Sequence, residues 1–312
     1  MAGWQAGFQG ANPDATVEYD PIGSGGGRTA FLEGGTDFAG SDSPLKDDEY
    51  EASIDRCAGT GGAINLPHYI SPIAIPYNLP SIEGQTLNLG PEVLAGIFSN
   101  EITNWNDPAI AADNPDLELP DLTINPVHRS DESGTTANFT DYLAQAAPDA
   151  WTYGSIEGWE DEGPGGGEGA PQTQGMVAAV AAGVGSIGYA DASQIDTLPA
   201  AAVGVAGEFV ELSPEAAGRI IDASERTGGQ SEFDFAIDVN RTPDTADTYP
   251  IALVSYHIVC LQYDDQETVD LVKAFMTYVS SDDGQAAAAE AAGAAPISSA
   301  VQADIQAAIA QI

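Results

Sequence analysis

Hydrophobic positions along the chain alternate between strand-like runs and helix-like spacing. Apolar, β-prone runs lie at 63–66, 70–77 and 249–263, and segments with apolar residues every three or four positions lie elsewhere, as at 91–98 and 269–279. Alternation of this kind predicts an α/β fold, in which ligand-binding loops follow the strands. Function is therefore expected in the loops that come after predicted strands.

Local signals predict the remaining elements. Trp4 and Phe8 are four residues apart, which is typical of one face of a helix. The run at 286–295 is rich in alanine but contains Glu290 and Gly293, and it predicts a surface helix, since no stretch approaches the ~20 apolar residues of a membrane span. Further helices are predicted at 28–33, 46–54, 135–146, 175–182 and 301–309, further strands at 17–22, 36–40, 122–127 and 186–190, and an exposed glycine-rich loop at 163–169.

The chain is strongly acidic, with 8 Lys and Arg residues against 48 Asp and Glu residues and a formal net charge of -40. Nucleic acids and anionic membranes are bound by clustered basic residues, so this composition disfavours both partners. We interpret the acidity as adaptation to a salty habitat or as a compositional habit of the source. An anionic ligand would have to be held by local contacts, because charges beyond a Debye length of roughly 10 Å are largely screened.

Two cysteines, Cys57 and Cys260, are far apart in the sequence. On the residues alone they form either one disulfide or two buried thiols. Neither has a Cys or His neighbour at the spacing of metal ligands, so no metal site and no cofactor is expected.

The first candidate loop, at 23–27, follows a predicted strand and reads Gly-Ser-Gly-Gly-Gly. Gly23 and Gly25 would let the backbone approach a ligand closely, and Ser24 carries a hydroxyl donor at the start of a helix, where unpaired N–H groups favour anions. An ordinary turn is the alternative interpretation. The loop lacks the lysine of a nucleotide-binding P-loop.

The second candidate loop, at 40–44, contains Asp42. Asp42 could cap the following helix. In an anion site it has a different use, because an ionised carboxylate accepts hydrogen bonds and donates none. It would accept the proton of a hydrogen phosphate and repel a sulfate, which carries no proton.

The third candidate loop, at 129–135, combines a guanidinium group with hydroxyl donors. The guanidinium of Arg129 matches the geometry of phosphate oxygens, and Asp131 could hold it in place. Ser133 and Thr135 add hydroxyl donors at the start of a predicted helix. A capped helix with a surface salt bridge is the alternative.

At this loop the chain resembles a known family. Residues 129–136, Arg-Ser-Asp-Glu-Ser-Gly-Thr-Thr, are similar to the signature of the phosphate-binding proteins of Pst-type ABC transporters. Segments 37–44, 22–26 and 102–108 are similar to three further motifs of that family, and the resemblance runs from about Trp4 to the C-terminus. It implies a periplasmic-binding-protein type II fold, with two α/β lobes joined by two crossings and the ligand in the cleft.

The resemblance also implies a domain organisation. Lobe I would consist of residues 1–74 and 254–312, and lobe II of residues 75–253. The crossings would lie near 73–78 and 249–256. The family places the positions of Cys57 and Cys260 in the first lobe, which favours the disulfide over two thiols.

Residues at matching positions receive roles from the resemblance. Arg129 would be the charged clamp, oriented by Asp131, while Ser24 would donate to phosphate and Asp42 would accept the proton of the ligand. Gly23 and Gly25 would support the first loop. The remaining donors would be Ser133, Gly134 and Thr135.

The function that follows is binding of inorganic phosphate, as hydrogen or dihydrogen phosphate, for delivery to a membrane permease. The resemblance implies a monomer outside the cytoplasm, periplasmic or at the cell surface and possibly lipid-anchored. Another oxyanion, such as sulfate or molybdate, is the alternative ligand, and Asp42 argues against it. A phosphatase-like enzyme is less favoured, because no G-x-S-x-G motif surrounds Ser24 or Ser133 and His128 is poorly aimed at Ser133.

One departure from the family concerns the N-terminus. Members of the family begin with a strand and a Gly-rich loop ending in Thr-Phe, which adds ligand donors, and nothing similar precedes Trp4. No secretory signal is recognisable at the start of the sequence either. We expect a version extended upstream to bind phosphate more tightly and to fold more stably than this chain.

Overall fold

The computed structural model describes residues 1–227, 231–295 and 297–312, which cluster into two compact units. The first unit comprises Met1–Ile70, Ser224–Val239 and Val254–Ile312, and the second comprises Ser71–Ala223 and Asn240–Leu253. Residues 224–239, which the sequence analysis placed in lobe II, cluster with the first unit.

Helices and strands alternate through both units, as the sequence pattern predicts. The helices are α1 (Ala2–Ala11), α2 (Ser24–Leu32), α3 (Asp47–Arg56), α4 (Pro91–Phe98), α5 (Pro108–Asp113), α6 (Gly134–Ala146), α7 (Trp159–Glu162), α8 (Gln172–Ala182), α9 (Pro214–Asp222), α10 (Gln266–Val279), α11 (Asp282–Ala292) and α12 (Ser299–Ile309). The strands are β1 (Phe38–Ser41), β2 (Ala63–Ala74), β3 (Asn88–Leu89), β4 (Asn125–Arg129), β5 (Glu168–Ala170), β6 (Ser186–Ile187), β7 (Ala190–Asp191), β8 (Ala202–Val205), β9 (Glu208–Val210), β10 (Glu225–Arg226), β11 (Ile237–Asp238) and β12 (Ala252–Cys260).

The core of the first unit forms where helices α1 and α10 pack beside strand β1. Strand β1 pairs antiparallel with β12, with Phe38 opposite Val259. Helix α1 buries Trp4 and Phe8 on one face, as their spacing predicts. The indole of Trp4 donates to the carbonyl of Gly284 at 2.7 Å, so an apolar anchor also satisfies a backbone acceptor in α11.

The second unit contains a short parallel sheet in the order β5-β4-β6. Strand β4 is central, and Arg129 is its last residue, opposite Ala170 of β5. The carboxyl ends of parallel strands are where α/β folds place their ligands. Trp105, from the segment that resembles a family motif, is fully buried and donates from its indole to Gly185 O at 3.0 Å, next to the start of β6. That tryptophan is a structural anchor for the sheet.

The chain passes from one unit to the other inside two long strands. Strand β2 belongs to the first unit up to Ile70, and β12 belongs to it from Val254 onward. These points lie close to the crossings expected near 73–78 and 249–256. The chain also crosses between the units before residue 224 and after residue 239. These two crossings were not predicted from the sequence.

Three local predictions were wrong. Residues 17–22 are not a strand, because the backbone of Val17 is bonded to side chains of α1, accepting from Gln5 and donating to Gln9. This segment and β1 both line a groove of about 420 Å³. The predicted loop at 23–27 provides the N-cap Gly23 and the first turn of α2, so this helix begins at Ser24 rather than at 28. The runs at 63–66 and 70–77 form one strand, β2, that ends at Ala74.

Cys57, at the end of α3, and Cys260, the last residue of β12, are joined by a disulfide with a Cα–Cα distance of 5.4 Å. It ties two stretches of the first unit that are 203 residues apart in sequence. Among the residues that the structure describes, no helix combines the length and the apolar character needed to cross a bilayer.

Candidate functional site

Arg129 is held rigidly at the carboxyl end of β4. Its side chain is nearly fully buried, with Nε donating to Asp131 Oδ1 at 2.7 Å and Nη2 donating to Asp131 Oδ2. Nη1 also donates to Thr173 Oγ1 at 3.3 Å. A two-point bond of this kind fixes the plane of the guanidinium as well as its position. The structure therefore confirms that Asp131 pairs with Arg129.

Asp131 is itself fixed by the start of α8. Its Oδ1 accepts from the backbone N–H of Gln172 at 2.9 Å. Burial alone would raise the pKa of Asp131, but the hydrogen bonds from Arg129 and Gln172 outweigh it and hold the pKa below its usual value. The carboxylate stays ionised and keeps the Arg129 fork between β4 and α8.

Helix α6 begins directly after this pair. Ser133 is its N-cap, accepting from Thr136 N at 3.3 Å, and the N–H of Ser133 donates to Glu157 O. Gly134 and Thr135 are the first helical residues, in the turn whose N–H groups point out of the helix end. Since Ser133 Oγ acts as an acceptor inside the protein, its hydroxyl hydrogen remains a donor. The arrangement concentrates donors and the positive end of the helix dipole beside Arg129.

Tyr189 connects these two parts of the second unit. Its hydroxyl accepts from Arg129 N at 3.2 Å and lies 2.8 Å from Thr136 Oγ1. Its ring stacks on Phe139 of α6 with the centroids 4.5 Å apart. Burial raises the pKa of Tyr189 to about 12, so the phenol stays neutral and can both donate and accept. Tyr189 thereby fixes the distance between β4 and the start of α6.

In the first unit, Ser24 and Asp42 meet although 18 residues separate them. Asp42 N donates to Ser24 Oγ at 3.1 Å, which leaves the hydroxyl hydrogen of Ser24 as a donor. The approach depends on glycines. Gly23 adopts φ +86° at the start of α2, and a Cβ at Gly27 would lie 2.9 Å from Gly40 O, so α2 packs directly on β1. Gly25 is buried in the same first turn.

Arg28, which the sequence analysis gave no role, lies behind the turn that carries Asp42. Its Nη1 donates to the hydroxyls of Ser41 and Ser43 at 3.1 and 2.7 Å. Its Nε donates to Glu49 of α3, at 2.9 Å from Oε2. The two serines next to Asp42 are thus bonded to one buried guanidinium.

The structure therefore groups the predicted residues into two sets. Ser24 and Asp42, with Gly23 and Gly25, lie together in the first unit, and the second unit holds the residues of the Arg129 motif. Within the described part of the chain, no three His, Cys, Asp or Glu side chains are arranged to hold a metal ion. His128 is stacked on Trp159 at 4.9 Å, with its Nδ1 3.1 Å from Arg129 O, so its ring is not aimed at Ser133.

Sequence comparison matches residues 2–283 to the PBP superfamily domain. Phosphate-binding protein PstS3 of Mycobacterium bovis (strain BCG / Pasteur 1173P2) is 39% identical over 273 residues, which is 86% of this chain and 72% of that protein. Phosphate-binding protein PstS 2 of Mycobacterium tuberculosis (strain ATCC 25618 / H37Rv) is 38% identical over 274 residues, covering 85% of this chain and 71% of that protein.

Structure comparison agrees with this assignment. A high affinity periplasmic phosphate-binding protein, PfluDING, solved with phosphate bound, superposes with a TM-score of 0.78 at 26% identity, covering 98% of this chain and 90% of its own. A phosphate-binding protein from Stenotrophomonas maltophilia shares the fold, with a TM-score of 0.74 at 22% identity over 92% of this chain and 85% of its own. On the domain match and the identity to these relatives, the chain belongs to the family of PstS phosphate-binding proteins.

Proposed function

We propose that this chain binds inorganic phosphate and delivers it to the membrane permease of an ABC transporter. The observation that carries the proposal is the buried Arg129, which is hydrogen-bonded to Asp131 near the N-terminus of helix α6. A guanidinium fork beside a helix N-terminus matches a tetrahedral oxyanion. The two mycobacterial relatives are named phosphate-binding proteins, and PfluDING was solved with phosphate bound.

Each residue set has a part in this proposal. In the second unit, Arg129 would supply the positive charge, and the start of α6 would supply further donors from Ser133, Gly134 and Thr135. In the first unit, Ser24 would donate its hydroxyl hydrogen and Asp42 would accept the proton of the phosphate. The charge of Arg129 and the N–H and hydroxyl dipoles around it act at short range. They explain how a chain with a net charge of -40 can bind an anion.

Asp42 supports phosphate over other oxyanions. Hydrogen phosphate offers a proton to the carboxylate, whereas sulfate would place a bare oxygen against it. A phosphatase-like activity has less support, because the relatives are named as binding proteins and His128 is held in a stack on Trp159. Binding and release, rather than turnover, is the activity that the site supports.

Titration calorimetry with phosphate tests the proposal directly. Arg129→Ala should weaken phosphate binding by at least ~100-fold, because a buried charged donor is lost. Arg56→Ala is the matched control, since Arg56 donates to the backbone carbonyls of Phe31 and Thr36, lies over the Phe31 ring and belongs to neither residue set. Failure of the unmodified protein to bind phosphate, or equal affinity of the Arg129→Ala variant, would overturn the assignment.

Asp42→Asn tests the selectivity. The amide can donate to an unprotonated oxygen, so sulfate should compete for phosphate more effectively than it does in the unmodified protein. Undiminished rejection of sulfate would remove Asp42 from its proposed role.

The partner and the location follow from the same proposal. The Cys57–Cys260 disulfide suits an oxidising compartment outside the cytoplasm, in line with the description of PfluDING as periplasmic. We propose that the chain acts as a monomer and docks on its permease when loaded with phosphate. Light scattering in the presence of phosphate should give the mass of one chain, and a dimer mass would contradict this.

A further inference from the structure

We infer that Arg28 is a positioning residue that sets the selectivity of Asp42 for phosphate over sulfate. The inference rests on the proposed function, because it assigns a role within the same phosphate site. Arg28 itself would not touch the ligand. It would act through the turn of residues 41–43, hereafter the Asp42 turn.

Arg28 is buried in the first unit and bonds to groups from two segments, the Asp42 turn and α3. Only 1% of its surface is exposed, and its guanidinium reaches both sides of the Asp42 turn at once. Its Nε is 3.0 and 2.9 Å from the two carboxylate oxygens of Glu49. A charge buried to this extent has to be paired, and the Glu49 carboxylate pairs with it.

The Asp42 turn has little freedom once Arg28 is in place. Ser41 Oγ accepts from Arg28 and from Ser43 N and donates to Ser43 O at 2.6 Å, so its hydroxyl is fully used. Ser43 Oγ accepts from Arg28. The turn is held at a third point where Asp42 N donates to Ser24 Oγ at 3.1 Å. The Arg28 guanidinium therefore holds the turn through the serine on each side of Asp42.

Glu49 anchors Arg28 to a second helix. One of its carboxylate oxygens also accepts from Lys46 N at 2.9 Å, in the first turn of α3. The Asp42 turn is consequently tied through Arg28 to α2 and α3 together. Glu49 offsets the charge of Arg28, and the role we assign to Arg28 is to orient the Asp42 turn.

An ammonium group could not replace this arrangement. Arginine places Nε on Glu49 while Nη1 reaches two serine hydroxyls, which uses the fixed spread of the guanidinium. Lysine would carry the same charge but all its donors on one atom. Arg28→Lys therefore separates the loss of positioning from the loss of charge.

The test compares phosphate affinity and sulfate competition in the unmodified protein and four variants by titration calorimetry. In Arg28→Lys, the ratio of phosphate to sulfate affinity should fall by roughly tenfold. Arg56→Lys, a substitution at another arginine of the first unit, should leave the ratio unchanged. The double variant Arg28→Lys/Asp42→Asn should be no less selective than Asp42→Asn alone, because Arg28 acts through Asp42.

The outcomes are distinguishable. If the unmodified protein binds no phosphate, the proposed function fails along with the inference. If it binds and selects phosphate but Arg28→Lys keeps the same ratio, only the inference is overturned, even when affinity or stability drops. Should Arg28→Lys fail to fold, Ser43→Ala removes one acceptor of Arg28 with a smaller disturbance. Its ratio should also fall, and an unchanged ratio would overturn the inference.

Discussion

His68 of β2 and His257 of β12 lie side by side in the core of the first unit. They are 1% and 3% exposed, and their Nδ1 atoms are 3.0 Å apart, so one ring must donate and the other accept. Both Nε2 atoms are buried without a hydrogen-bond partner. The pair is compatible only with neutral rings. Replacing both residues by leucine should therefore remove a defined part of the acid sensitivity of the fold.

The sign follows from the pKa values. Burial lowers the pKa of His68 from 6.5 to about 3, and burial together with the neighbouring His68 lowers the pKa of His257 well below 6.5. The unfolded chain then binds more protons than the native one as pH falls below 6.5, and stability is lost in that window. As pH falls from about 7.5 to about 5, each histidine lowers the free energy of unfolding by about 2 kcal/mol, and the pair lowers it by about 4 kcal/mol.

Urea unfolding at both pH values, at constant ionic strength, gives the required difference. The fall in unfolding free energy between the two pH values should be about 4 kcal/mol smaller in His68→Leu/His257→Leu than in the unmodified protein. The many carboxylates titrate in both proteins and cancel in this comparison. At the higher pH the variant should be nearly as stable or more stable, because two unsatisfied nitrogens are removed. An equal pH dependence in the two proteins would refute the reasoning.

Three further predictions concern stability. Replacing Cys57 and Cys260 by serine should lower the free energy of unfolding by about 3–5 kcal/mol, because the disulfide closes a loop of 203 residues, and urea unfolding measures this. Trp105→Phe should lower the melting temperature through a loss of about 1–3 kcal/mol, since the bond to Gly185 O disappears, and calorimetry measures it. Asp131→Asn should cost about 1–3 kcal/mol without ligand, because Arg129 loses its ionised partner. Saturating phosphate should recover part of that loss in urea unfolding.

Elements with strong local signals could be predicted from the sequence. Helix α4 begins at Pro91 and ends at Phe98, as predicted, because a proline at its first position and an apolar pattern specify it locally. Helix α6 starts one residue before the predicted position, at the Ser133 cap. Residues 17–22 have a strand-like pattern but no strand, since a strand is defined by its neighbours and Val17 instead bonds to side chains of α1.

Part of the candidate site could likewise be predicted from the sequence, and part could not. Arg129, Asp131 and the start of α6 are adjacent in the sequence, so their chemistry is visible as a motif. Tyr189 and Thr173 bond to Arg129 from 60 and 44 residues away, and no spacing rule reveals such contacts. Arg28 looked like an ordinary helix residue after a glycine-rich stretch. Its burial against Glu49 and the Asp42 turn is known only once α2, α3 and β1 are packed together.

The discontinuous make-up of the first unit has a consequence for the order in which the protein is assembled during synthesis. Strand β1 pairs with residues 256–259, and Cys57 awaits Cys260, so the N-terminal 70 residues have no complete core until the last part of the chain is made. The second unit is complete once residue 253 has emerged. We therefore expect the middle of the chain to fold first, with the N-terminal segment as the stretch that chaperones must protect longest.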